Sequence, residues 1–337
     1  MTLLTNIGMF IVGLLAIVKG ADWLTDGAAE IAERFGIPSL VVGLTIVAVG
    51  SSAPEFVVSV VSALHGNADM ALGNIVGSNI FNILAILGIT ALVAPIKVDR
   101  GNVRNDVPFV ILSSIVIAIT ALDPLLDSDS NGVISRSEGL LMLCMFAIFM
   151  SYTFSIARNG KQEANIHDAD AAIEKTKKKS LWHFGGVWGE VCAIVVGLTI
   201  LVGGGEWMVE GASGIALEAG ISESIVALTI VSIGTSAPEL AASVMAARKG
   251  DTAMALGNIV GSVVFNVFFV LGVSALILPL GIGNISLWDI VILLAASLLL
   301  YLLCRLGKTH LTLTRSDGAI MVALIVAYYA WLVSKAI

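Results

Sequence analysis

Apolar runs of about twenty residues recur along the chain, separated by short stretches that hold most of its Lys, Arg, Asp and Asn. A helix needs about 20 mostly apolar residues to cross a bilayer. Ten segments meet that length, near residues 3–24, 37–64, 70–95, 107–124, 138–157, 187–208, 222–247, 253–279, 286–306 and 316–334. Several are longer than a bilayer requires and must tilt or break. The pattern predicts an all-α membrane protein of ten transmembrane helices.

Composition agrees with this pattern. The 337 residues are 57% hydrophobic and 13% charged, where a soluble domain carries about 25% charged residues. The lipid bilayer is thus the expected surroundings, and nothing in the chain suggests nucleic acid as a partner. With the N-terminus placed outside, the inner loops collect Arg34, Arg100, Arg104, Arg158, Lys161, the Lys175–Lys179 cluster, Arg248, Lys249, Arg305 and Lys308, while the outer side keeps Arg136 and Lys335. The positive-inside rule then predicts both termini outside, in a multi-pass protein of the cell (inner) membrane. Cys144, Cys192 and Cys304 lie within apolar runs and read as small hydrophobes. No basic residue precedes the first apolar run, so it reads as a span and not as a cleaved signal.

One polar stretch, 159–182, divides the chain nearly in half, and the halves repeat each other. GADWLTDGAAEIAERFGI at 20–37 parallels GGEWMVEGASGIALEAGI at 204–221, GSSAPE at 50–55 parallels GTSAPE at 234–239, and GNIVGS at 73–78 recurs unchanged at 257–262. Every pair stands 184 positions apart. Five spans per half force the second half to enter the membrane from the opposite side. The expected organisation is a five-helix repeat at 1–158, a cytoplasmic linker at 159–182 and an inverted five-helix repeat at 183–337. Inverted repeats of this kind bind substrate near the midplane, between the repeats.

The most similar segments are also the most polar within the membrane. Glu55 and Glu239 lie in apolar runs, where a charged carboxylate costs at least about 2.5–3.5 kcal/mol. Such a pair is tolerated with a bound cation, with protons or with water. Ser51 and Ser52 share a helix face with Glu55, as Thr235 and Ser236 do with Glu239. Pro54 and Pro238 cannot donate a backbone hydrogen bond, which predicts carbonyls released near Ala48 and Gly50 and near Ser232 and Gly234. Asn74, Ser78 and Asn82 form a stripe at every fourth residue, mirrored by Asn258, Ser262 and Asn266; ligation and interhelical hydrogen bonding are both open for it. Gly73, Gly77, Gly257 and Gly261 should let helices approach closely. Every candidate donor is oxygen, which favours hard cations over zinc or copper, and calcium over magnesium.

GSSAPE with GNIVGSNIFN, and GTSAPEL with GNIVGSVVFN, resemble the two alpha repeats of the calcium/cation antiporter superfamily, and are most similar to its prokaryotic sodium/calcium exchangers. The resemblance covers essentially the whole chain. It implies alternating access, with the first and sixth spans sliding over a more rigid core. It implies that Glu55 and Glu239 bind calcium and sodium, that Ser51, Ser52, Ser78, Thr235, Ser236 and Ser262 are hydroxyl or carbonyl ligands, and that Ala48 and Ser232 offer backbone carbonyls to sodium. Asn82 and Asn266 match the last polar position of each motif, where some relatives carry an aspartate. Calcium and sodium are thus the expected transported ions, with no cofactor. Exchange of protons for calcium at the same glutamates is the nearest alternative. A channel and a membrane enzyme are the readings from other classes; the inverted repeat argues against the first, and the lack of a zinc, phosphate-loop or nucleophile motif against the second.

The loop from Asp127 to Glu138 fits the twelve-residue EF-hand pattern, with Asp127, Asp129, Asn131, Val133, Ser135 and Glu138 in ligand positions. An acidic turn between helices explains the same residues.

Overall fold

The computed structural model describes residues 3–66, 68–98, 101–126, 132–167, 186–218, 232–281, 286–306 and 311–336. The described chain is helical apart from four two-residue strands. Seven of the described helices are long and apolar enough to cross a membrane, or eight if one bent pair counts as a single span.

In the first half, α1 is Leu3–Phe35, α2 is Ser39–Ser51 and α3 is Ala53–Leu64. Helix α4 starts as Ala68–Phe81 and passes through a π-helical turn, Asn82–Ile86, into Leu87–Val93. Helix α5 opens on a π turn, Asn102–Asp106, and continues as Val107–Leu126, and α6 is Arg136–His167. The second half follows with α7 at Val187–Glu218, α8 at Ser232–Thr235, α9 at Ala237–Arg248 and α10 at Thr252–Val264, extended by a π segment, Phe265–Leu271, and by Gly272–Ile277. Helices α11 (Leu287–Leu306) and α12 (Arg315–Ala336) complete it. Gly66 (φ 75°) and Gly250 (φ 89°) stop α3 and α9 in the left-handed conformation that suits glycine.

Two expectations change here. The first and sixth helices run past their apolar spans, to Phe35 and Glu218, because polar positions there continue the helix with partners of their own. The first part of the stretch expected to be a linker continues α6 to His167; residues 168–185 lie outside the described residues.

Helices α4 and α10 form the centre. In each, 83% of the most apolar window is buried, against 22% in α1 and in α7. The halves interleave around this centre. Gly88 of α4 meets Gly318 of α12, and Gly272 of α10 meets Gly139 of α6, so each half's last helix packs on the other half's central one. The strands cross over in the same way: β1 (Ile96–Lys97) pairs with β4 (Thr312–Leu313), and β2 (Val133–Ile134) with β3 (Leu280–Gly281), both antiparallel.

On one flank α1 and α7 lie antiparallel along a seam of glycines. A Cβ on Gly13 would meet the Met208 backbone nitrogen at 2.4 Å, one on Gly20 the Leu201 nitrogen at 2.5 Å, and one on Gly211 the Asn6 carbonyl at 2.5 Å. Both ends of the seam are clasped. At one end Arg34 Nε donates to Glu190 at 2.7 and 2.9 Å, and at the other Asn6 Nδ2 donates to Glu218 at 3.1 Å. Across the 184-residue offset, Asn6 corresponds to Glu190 and Arg34 to Glu218.

Gly257 and Gly261 make the expected close approach. A Cβ on Gly257 would lie 2.4 Å from the Leu40 carbonyl, and one on Gly261 2.7 Å from Ala48 Cβ. At Gly73 no described atom lies within 4 Å of that position, so the first motif does not repeat the contact among the described residues. Overpacking a fitted site costs about 1–3 kcal/mol. Gly13→Ala and Gly257→Ala are therefore expected to lower thermal stability in detergent by that amount. Gly8→Ala, with nothing within 4 Å, should leave it unchanged or slightly raised.

Candidate functional site

The polar centre is built where α2 stops and α3 starts. Pro54 occupies the first turn of α3, where a missing N–H costs nothing. Ser52 (φ −81°, ψ 11°) leaves helical geometry and the chain bends by 48°. Ser236 (φ −91°, ψ 6°) precedes Pro238 in the same way. Each break puts a glutamate, Glu55 or Glu239, in the first turn of the following helix, where the positive end of the helix dipole favours a carboxylate. The Ala48 carbonyl is not released as expected: it accepts the Ser52 N–H at 3.0 Å, because the proline removes an N–H only at position 54, two residues further on. It keeps a second lone pair, which the Ser51 hydroxyl approaches at 3.4 Å. Ser232 opens α8.

The two breaks lock together by exchange. Ser52 Oγ donates to Glu239 Oε1 at 2.7 Å, and Ser236 Oγ donates to Glu55 Oε1 at 2.9 Å. Each carboxylate thus takes its hydroxyl donor from the opposite half. Both glutamates are 0% exposed, and the second oxygen of each, Oε2, has no hydrogen-bond partner. Further buried atoms are without a partner: Ser78 Oγ, Ser262 Oγ, both amide atoms of Asn82, and Asn266 Oδ1. Ser51, which donates at 3.2 Å to Asn258 Oδ1, is sealed in with them.

Asn74 and Asn258 stand apart from this set. Asn74 Nδ2 donates to the Glu55 carbonyl at 3.3 Å and to Ser59 Oγ at 3.0 Å; Asn258 Nδ2 donates to the Glu239 carbonyl at 3.2 Å and to Ser243 Oγ at 2.8 Å. Their amides fasten α4 to α3 and α10 to α9, so interhelical bonding accounts for this part of the stripe. Sequence reasoning passed over Ser59, Ser243 and Asn79, and also the buried, unpartnered hydroxyls of Thr90 and Ser274. The recurrence at 184 residues could have found Thr90 with Ser274 and Ser59 with Ser243. Asn79 has no such signal, because Val263 stands at its repeat position.

Among the described residues no cluster of three or more His, Cys, Asp or Glu side chains could hold a metal ion. The negative charge at the centre comes from two carboxylates whose described partners are neutral hydroxyls. Chemically, such a pair away from water needs cations or protons as counter-charge.

The ends of the molecule differ. A half-open cavity of about 280 Å³ reaches the α2–α3 and α8–α9 breaks, lined among others by Pro54, Glu206, Glu210, Gly234, Thr235 and Pro238. The residues corresponding to Glu206 and Glu210, Asp22 and Asp26, are instead bridged by Lys249 Nζ at 2.7 and 2.8 Å, with Thr25 Oγ1 at 2.9 Å. That bridge ties α1 to the end of α9.

In the acidic loop, Asp127, Asp129 and Asn131 lie outside the described residues. Val133 belongs to β2 and pairs with Gly281. Glu138 caps its own helix: Oε2 accepts from the Ser135 N–H and hydroxyl, both at 2.7 Å. Thr314 with Asp317 repeats that capping box ahead of α12.

Comparisons with known proteins give the family. The family model described as sodium/calcium exchanger protein matches residues 5–155 and 190–334. A putative antiporter, CaxA, of Alkalimonas amylolytica is 37% identical over 96% of this chain and 98% of its own length. The inner membrane protein YrbG of Escherichia coli (strain K12) is 35% identical over 88% of this chain and 87% of its own. Among solved structures, the sodium-calcium exchanger NCX_Mj superposes with a TM-score of 0.79 at 29% identity, covering 98% of this chain and 99% of that one. The chain belongs to the sodium/calcium exchanger family of membrane antiporters.

Proposed function

We propose that this chain exchanges sodium for calcium across the inner membrane by alternating access, in the direction of calcium efflux, with both ions competing for one site between its halves. The observation that carries the reading is the exchanged bonding of Ser52 to Glu239 and Ser236 to Glu55, which leaves two sealed oxygens, Glu55 Oε2 and Glu239 Oε2, with no protein donor. These oxygens, with Ser51, Ser78, Asn82, Thr235, Ser262, Asn266 and the carbonyls of Ala48 and Ser232, form an all-oxygen ligand set. Calcium accepts six to eight such ligands in irregular geometry, and two carboxylates neutralise it. Three sodium ions on the same set exceed the carboxylate charge by one, so exchange of three sodium for one calcium is electrogenic.

The fold supporting this function has ten spans in two inverted five-helix units, 1–158 and 183–337, joined by the 159–182 connector, with both termini outside and the ion site near the midplane. The antiparallel α1–α7 pair, built from corresponding glycines, supports the inversion, and the name of the Escherichia coli relative supports the location. In this orientation the Lys249 bridge closes the cytoplasmic end, and the cavity at Glu206 and Glu210 opens outward.

Purified protein in vesicles tests the coupling. Calcium uptake is expected to follow an outward sodium gradient and to ignore a pH gradient alone; uptake driven by the pH gradient and indifferent to sodium would replace sodium by protons as the coupling ion. Glu55→Gln and Glu239→Gln should each reduce calcium transport to background while the protein elutes from size exclusion as the parent does. Parental rates in both variants would remove the glutamates from the site.

A further inference from the structure

The two central asparagines are not held alike, and the difference lies in a residue outside the repeat. Asn79 is fully buried. Its Nδ2 donates to the Val263 carbonyl at 3.4 Å, and its Oδ1 accepts from Asn266 Nδ2 at 3.2 Å. The order of donors follows from chemistry alone. A main-chain carbonyl only accepts, so the Asn79 atom facing it must be the NH₂ group. The atom left to face Asn266 is then the amide oxygen, which also only accepts. Asn266 must answer with its own NH₂. One backbone carbonyl therefore fixes the flip of two amides in series.

The geometry points to Asn79 as a positioning residue that presets the Asn266 carbonyl oxygen toward the cation, an inference that rests on reading the buried oxygen cluster as the ion site. Asn266 Oδ1 is the buried, unpartnered atom this relay leaves over. A cation requires the oxygen; an amide turned the other way would present two N–H groups to a positive charge. In the other half the residue corresponding to Asn79 is Val263, whose side chain neither donates nor accepts. Asn82 accordingly has both amide atoms unpartnered and must be oriented by the ion itself. The site thus pairs one preset amide with one adaptable amide. The relay also suits asparagine at 266 specifically: an ionised aspartate there would set a carboxylate oxygen against Asn79 Oδ1, with no proton between them.

Asn79→Val, which copies the second half, deletes the relay with little change in shape. Partners that orient a metal ligand are worth about 10–100-fold in affinity. Equilibrium binding of calcium and sodium to the purified variant is expected to weaken by about tenfold, with KM rising to match and kcat nearly kept. In the Asn266→Asp background, where either carboxylate oxygen serves, Asn79→Val should cost nothing or improve binding. An equal loss in both backgrounds would reduce Asn79 to helix packing and overturn the assignment. Asn79→Ala repeats the comparison without a branched side chain if the valine variant does not fold. Glu55→Gln is the control. If it abolishes calcium binding while Asn79→Val binds as the parent does, the positioning role fails alone. If Glu55→Gln still binds and transports, the site itself has been misread.

Discussion

Two carboxylates shut away from water, each hydrogen-bonded by a serine of the opposite half, set the terms for the rest of this molecule. Charge of one sign in a medium of low polarity is costly, and a hydroxyl dipole offsets only part of it. The structure meets the cost in several ways at once. Helix starts aim their dipoles at Glu55 and Glu239, serine hydroxyls of the opposite half donate to them, and asparagines of the two most deeply buried helices bond their main-chain carbonyls. The proposed function follows from what remains unmet, since a bound cation would complete the balance.

Much of this was legible in the sequence. Pro54 and Pro238, each close behind a pair of hydroxyl residues, announced the two helix breaks, and the constant offset between the repeats showed which residues correspond. Oxygen-only chemistry followed from the absence of His and Cys near the motifs. What escaped notice was physical in kind. Hydropathy marks where a helix is apolar, not where it ends, so α1 and α7 outran their spans through Arg34 and Glu218. Proline signals a missing N–H but not which carbonyl loses its partner, so Ala48 stayed bonded. A stripe of Asn, Ser and Asn looks uniform at spacing four, yet an α-helix turns about 40° too far at each such step, and Asn74 bonds the neighbouring α3 while Asn82 is left unmatched. Asn79 was invisible because it breaks the very repeat that made the others conspicuous.

The halves correspond without being equal. The charge bridge from Lys249 to Asp22 and Asp26 has no described equivalent at Glu206 and Glu210, where a cavity stands. Arg34 with Glu190 is an ion pair, whereas Asn6 with Glu218 joins an amide to a carboxylate. Such differences are where a duplicated scaffold acquires direction: the shared parts make the site, and the unshared parts distinguish its two sides. The glycine seam between α1 and α7 belongs to the shared parts. Its closest contacts are backbone against backbone, and side-chain pairs at its two ends clasp it.

The exchanged serine–glutamate bonds also bear on ancestry. A single unit, alone in a membrane, would carry one carboxylate with its proper hydroxyl donor missing, since that donor belongs to the other copy. A precursor of half this length could have completed this centre only by meeting a second copy of itself, which supplied the missing serine. In one chain the two copies always meet, and positions such as 79 and 263 are then free to differ.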